Sequence, residues 1–173
     1  MRITHRERAY DGHFKLNKLT VTTPEGQELL REQFVPGHAV AALVFDTARR
    51  QYVLTRQFRV GAERELVELA AGMIDAGESP ETAVRREIME ELGYEIDRLT
   101  LLATVWTSPG ASAETIAVYY AEVSRQPGAG GGLATENEQI EAVLLSREEL
   151  LSESFQDAKT LLAVLWTVKN VQI

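Results

Sequence analysis

Between residues 13 and 35 apolar positions alternate weakly with polar ones (Phe14, Leu16, Leu19, Val21), and the alternation breaks at Pro24-Glu25-Gly26. That period predicts strands joined by a turn, because successive strand side chains point to opposite faces. AVAALVFD (39–46) is apolar almost throughout and reads as a buried strand. YVLTRQFR (52–59) is a second strand, across a connection carrying Asp46 and Arg49-Arg50. RELVELAAG (64–72) is a third extended segment, and LLATVWTS (101–108), ETIAVYYAEV (114–123) and QIEAVLLS (139–146) are three more.

Two segments carry a helical period instead. In GESPETAVRREIMEELGY (77–94), Ser79 is placed to cap a helix that begins at Pro80, and Val84, Ile88 and Leu92 form its apolar face. In DAKTLLAVLWTVKN, Asp157 is the expected N-cap, with Leu161, Leu165 and Val168 at helical spacing. Trp106 and Trp166 are expected in the core, Trp106 near enough to the SPGASA loop to line a pocket. Strands outnumber helices but both are present, so the expected class is mixed α/β (α+β), with helices packed on a sheet. The glycine-rich run 126–137 reads as a mobile loop, because the residues beyond it are too few for a second domain.

Composition narrows the chemistry. The chain has 173 residues, 45% hydrophobic and 25% charged, as expected of one globular domain. It has no cysteine, which removes disulfides and thiolate metal sites and leaves oxygen ligands for a hard ion such as magnesium or manganese. A net charge of −8 lacks the basic footprint of a nucleic-acid partner, though a small phosphorylated substrate is compatible if a cation mediates the contact. The N-terminus lacks an apolar signal-peptide core and no apolar run is long enough to span a membrane, so a cytoplasmic protein with no membrane partner is expected.

The helix that begins at Pro80 raises a question that composition does not answer. Glu87, Glu90 and Glu91 crowd one side of it, and like charges one turn apart weaken an isolated helix. Taken alone, such a face is a solvated surface. The spacing overturns that reading. From Gly72 the chain runs glycine, five residues, Glu78, seven residues, then Arg86-Glu87-Ile88-Met89-Glu90-Glu91-Leu92-Gly93. This resembles the Nudix box, GX5EX7REUXEEXGU with U a bulky aliphatic residue. All fixed positions match, and Tyr94 departs from the final aliphatic one, a change expected to affect packing rather than chemistry. Glutamates at i and i+4 set two carboxylates on one side of a helix, where a divalent cation relieves their repulsion.

The resemblance implies a Nudix-type mixed sheet between helices, over residues 37–173, preceded by a small antiparallel β region at 1–36 that pairs two subunits. By that similarity Glu87 and Glu91 ligate the metal and act in catalysis, while Glu90, Arg86 and Glu78 support and orient them. Pro109 lies sixteen residues beyond Gly93, where the ADP-ribose pyrophosphatase branch of the family carries its proline. GLATENEQI (132–140) resembles the loop of that branch that supplies a base, here Glu136, and a further ligand, here Glu138. The Ala71 carbonyl matches a backbone ligand. Arg31, reaching across a dimer interface, together with Arg59, Glu68 and Glu114, matches substrate-binding positions. The expected activity is magnesium-dependent hydrolysis of a nucleoside diphosphate sugar, ADP-ribose ahead of GDP-mannose, with broad activity on such sugars open. A Nudix-fold binding module without catalysis is the remaining alternative.

Overall fold

β4 (Ala39–Asp46) is buried at every position, which is why its sequence lacks the alternation of a half-solvated strand. Val40, Ala42 and Val44 on one face join a core with Ala83, Val84, Ile88 and Leu92 of α1 (Pro80–Leu92). Ala41, Leu43 and Phe45, which alternation sends to the opposite face, are equally buried. α3 (Ala158–Asn170) also packs against β4.

The computed structural model describes residues 1–133 and 139–171. They divide into two units, one formed by Met1–His38 with Val105–Ile116, the other by Ala39–Thr104 with Ala117–Ile173. The second unit holds β4, β5 (Gln51–Arg59), β6 (Arg64–Glu68), β7 (Ala70–Met73) and most of β8 (Glu95–Trp106) and β9 (Thr115–Arg125), followed by β10 (Glu141–Leu145). Strand order is β10-β5-β4-β9-β8, with β6 paired to β5 and β7 to β4. The stretch 64–72, expected as one strand, is therefore two. It crosses from β5 to β4 at Leu69, which is fully buried and donates its N–H to Thr160 Oγ1 at 3.1 Å. The crossing sets Glu68 in register with Thr55 of β5 and Ala71 with Ala41 of β4.

In the first unit β1 (Arg2–Asp11), β2 (Lys15–Thr22) and β3 (Glu28–Val35) form an antiparallel sheet in that order. The turn at Pro24–Gly26 is closed by Thr23 N–H to Gln27 O at 2.9 Å, with Gly26 at φ 86°. β3 is held to the 105–116 segment through Phe34, whose N–H reaches Ala111 O at 2.9 Å and whose O accepts from Ala113 N at 2.8 Å.

Some expectations are corrected. Trp106 is 57% exposed rather than in the core. Asp157 does cap α3 through Thr160 N, but Leu161, Leu165 and Val168 are exposed and the buried face is Thr160, Ala163, Val164 and Thr167. The threonines are satisfied locally, Thr160 Oγ1 on Asp157 Oδ2 at 2.6 Å and Thr167 Oγ1 on Val164 O at 2.7 Å, which removes the penalty for burying them. α2 (Arg147–Ser152) is a short helix with a Ser146–Glu149 capping box. No described helix is long and apolar enough to cross a membrane.

Candidate active site

α1 starts and stops as its sequence dictates. Ser79 Oγ accepts from Thr82 N at 3.1 Å, Pro80 occupies the first turn, and Gly93 ends the helix in the left-handed region at φ 75°. Ala83, Val84, Ile88 and Leu92 anchor one face in the core, so the rotation of the helix about its axis is fixed by packing. That rotation decides where the acids go.

Arg86 is the hub of the first group. Its Nε and Nη2 donate to the two oxygens of Glu78 at 3.1 and 3.0 Å, its Nη1 to Glu87 at 2.7 Å and Glu90 at 3.1 Å, and its Nη2 also to Met73 O at 3.0 Å. The bidentate Arg86 contact, aided by the Asp75 N–H, holds the Glu78 carboxyl below its ordinary range. The same hydrogen bond to Glu78, reinforced by Glu87 and Glu90 and opposed by burial, raises the guanidinium further still.

Gly72 makes room for this arrangement. A Cβ there would lie 2.0 Å from the Glu87 carboxyl carbon, so the Glu87 side chain lies over a residue that has none. Glu91, at 2% exposure, turns inward and accepts from Ala71 N at 3.1 Å. α1 and β7 thereby present Glu87, Glu91 and the Ala71 peptide along one seam. The donor set is all oxygen, without imidazole or thiolate, which fits a hard divalent cation rather than a soft one. Among the described residues no three acid or imidazole side chains converge closely enough to enclose an ion.

The C-terminal end of α1 carries a feature that the sequence did not announce. Gly128 N–H donates to Gly93 O at 3.0 Å, Gly131 N–H to Glu91 O at 2.8 Å and Gly132 N–H to Glu90 O at 3.1 Å. Gln126 Nε2 adds a bond to Leu92 O at 3.0 Å. The glycine run expected as part of a mobile loop is thus strapped across the helix end, supplying donors for carbonyls left open there. The strap needs glycine where it comes closest: a Cβ on Gly130, at φ +67°, would sit 2.6 Å from Glu91 O. Beside it Tyr94 is buried, as its apolar position requires, but its hydroxyl donates to buried Asp46 at 2.9 Å. Burial alone would push Asp46 up. The Arg49 N–H, the Tyr94 hydroxyl, the Arg49 guanidinium and the Ala48 N–H outweigh it and hold the carboxyl below its ordinary range.

The remaining expected residues are divided between the two units. Arg59 ends β5 and pairs with Glu68 of β6, and Lys159 of α3 takes the other Glu68 oxygen. Lys159 carried no signal in the sequence, since it meets Glu68 across 91 positions. Arg31 and Glu114 lie in the first unit. There Arg31 Nη1 reaches Leu30 O at 2.7 Å, and Glu114 Oε2 accepts from Thr107 Oγ1 at 2.7 Å, behind the 108–112 turn that holds Pro109. Glu136 and Glu138 lie outside the described residues.

Residues 35–165 match the NUDIX domain family. The ADP-ribose pyrophosphatase of Escherichia coli strain K12 is 35% identical over 179 residues, covering 95% of this chain and 86% of that protein. The ADP-ribose pyrophosphatase of Haemophilus influenzae is 34% identical over 154 residues, 81% of this chain and 71% of that protein. A GDP-mannose pyrophosphatase of E. coli strain K12 / DH10B is 32% identical over 166 residues, 88% and 86% of the two chains. In solved structures, an ADP compounds hydrolase superposes with a TM-score of 0.82 over 99% of this chain and 96% of that one, at 21% identity, a likeness of fold.

Proposed function

The chain belongs to the Nudix family, and from that premise we propose that it hydrolyses the pyrophosphate bond of a nucleoside diphosphate sugar, with ADP-ribose giving AMP and ribose 5-phosphate. The observation that carries this reading is the gathering of Glu78, Glu87 and Glu90 about Arg86, with Glu91 turned onto the Ala71 amide alongside. Glu87, Glu91, the Ala71 carbonyl and Glu138 would hold the divalent cation, magnesium or else manganese. When bound, it supplies charge neutralisation at the diphosphate and a lowered pKa for water. Arg86 and Glu78 orient Glu87, with Glu90 in support. Glu136 takes the proton from the attacking water. Arg59 and Arg31 bind the diphosphate, with Arg31 contributed across a homodimer through residues 1–36, while Glu114 receives the nucleotide or sugar. Glu68, expected as a substrate contact, is buried with Arg59 and Lys159 on its two oxygens, so in this scheme it acts through Arg59. The enzyme works in the cytoplasm on a small molecule.

Identity to relatives named for GDP-mannose supports a second substrate within the same chemistry. The deciding experiment is turnover with magnesium on ADP-ribose, GDP-mannose, UDP-glucose and ADP-glucose at equal concentration, products identified by chromatography. The expected result is the highest kcat/KM on ADP-ribose. Equal rates would replace it with a broad hydrolase, and silence on all four would leave a nucleotide-binding module.

A further inference from the structure

Glu68 is a carboxylate with almost no solvent, its side chain 2% exposed, and burying such a group is costly unless it is paired and hydrogen-bonded. It has two partners, one on each oxygen. Arg59 Nε approaches Oε1 and Lys159 Nζ approaches Oε2. The two cations therefore do not compete for the same lone pairs.

They differ in freedom. Lys159 is 14% exposed and is held a second time by Asp157 Oδ1 at 3.0 Å. Asp157 is itself fixed, its other oxygen capping α3 through Thr160 N at 2.9 Å and Thr160 Oγ1 at 2.6 Å. Arg59 is 38% exposed, stands at the end of β5, and faces Arg64 directly across the ladder, where like charges repel. One cation is built into the frame and the other stands at its edge.

We propose that Lys159 is a positioning residue for substrate binding: it neutralises Glu68 from within the protein, so that the charge of Arg59 is available to the substrate diphosphate. This rests on the reading of Arg59 as a substrate contact. Without Lys159, Arg59 is the counter-ion that Glu68 retains. Each step of Arg59 toward an anionic ligand then bares a buried carboxylate, and binding weakens by that penalty. The chemical step, carried by other residues, is untouched.

The test uses the full chain with magnesium and ADP-ribose, comparing Lys159→Met, Lys159→Arg, Arg59→Met, Glu68→Gln and the Glu68→Gln/Lys159→Met pair. Lys159→Met is expected to raise KM about tenfold with kcat within about twofold of wild type, and Lys159→Arg to restore KM. In the Glu68→Gln background, Lys159→Met is expected to add almost nothing to KM, because no carboxylate charge is left to hold Arg59 back, and Asp157, its other partner, does not touch Arg59. If Arg59→Met raises KM and Lys159→Met does not, the inference fails while the Arg59 reading stands. If Arg59→Met itself leaves KM unchanged, the Arg59 reading fails and takes the inference with it. Loss of kcat in both Lys159 variants would assign Lys159 to the fold alone. A second measurement needs no variant beyond those for assignment: the Arg59 Nε–H resonance of the wild-type protein should shift as ADP-ribose is added in EDTA. A resonance that stays still at saturation overturns the proposal.

Discussion

Two parts of the same 13-residue helix surround their acids in opposite ways. Midway along α1, three carboxylates, Glu78, Glu87 and Glu90, share one guanidinium. At its C-terminal end one carboxylate, Asp46, receives four donors: the Ala48 and Arg49 amides, the Arg49 guanidinium and the Tyr94 hydroxyl. Where donors saturate an acid, the charge serves the fold. Where three acids gather about one guanidinium, negative charge remains in excess, and that excess is what supports the proposed cation site. Carboxylates gathered around one helix thus have two meanings, told apart by the balance of charge about them.

The largest effect is expected at Glu91, which lies beside the acid-rich group on the same helix. Glu91→Gln is expected to lower kcat/KM about a thousandfold while the protein still melts in one cooperative transition without metal. An active variant would remove Glu91 from the metal site, and Glu138→Gln carries the same expectation. Arg86→Met should cost roughly 2 kcal/mol without metal, since three acids lose a common partner that is itself partly solvated. Added magnesium should raise the melting temperature of this variant more than that of the wild type. An equal rise in both would mean that Arg86 and the cation do not address the same charges.

The strap offers a test of similar size to the second. Gly130→Ala forces a Cβ toward Glu91 O at positive φ, and about 1–3 kcal/mol of stability should be lost together with turnover. Were stability lost with turnover intact, the strap would have no part in holding the acids. At the saturated end, Tyr94→Phe should cost about 1 kcal/mol by urea unfolding at pH 7 and leave kcat unchanged. A change in kcat would erase the distinction between the two groups.

The smallest effect concerns pH. Asp46 is held below its ordinary value of 3.8, so its contribution to stability is present above that value and is lost as pH falls through the lower folded one. The stability gap between Tyr94→Phe and wild type should be full at pH 6 and narrow below about pH 4. A gap that ignores acid would point to packing rather than to the hydroxyl.

Much of the fold was legible because period and punctuation agree. The segment 39–46 is β4 residue for residue, and Ser79 and Pro80 mark the start of α1. What escaped had physical reasons. β1 is exposed at all ten positions, so no buried face impressed a period on RITHRERAYD. The apolar stripe on α3 misled because its buried positions are small residues and threonines that satisfy their own hydroxyls. The residues of the box from Arg86 to Leu92 could be read directly, since their spacing along one helix is their spacing in space. Lys159 could not, because its partner is brought to it by the sheet. Nor could the strap, whose glycines look like slack until the helix end they cap is in view.

The place of β9 beside β4 has a consequence for how the molecule forms. The β1–β2–β3 meander joins residues close in sequence, whereas Thr47 bonds Val123 O through both N–H and Oγ1 across 76 positions. Closing that loop carries a large entropic cost before any contact repays it. We expect the β4–β9 junction to lie on the slow side of the folding barrier. In pulsed hydrogen exchange during refolding, the Thr47 amide should then gain protection later than those of β2. Simultaneous protection would show that the long closure is not what sets the rate.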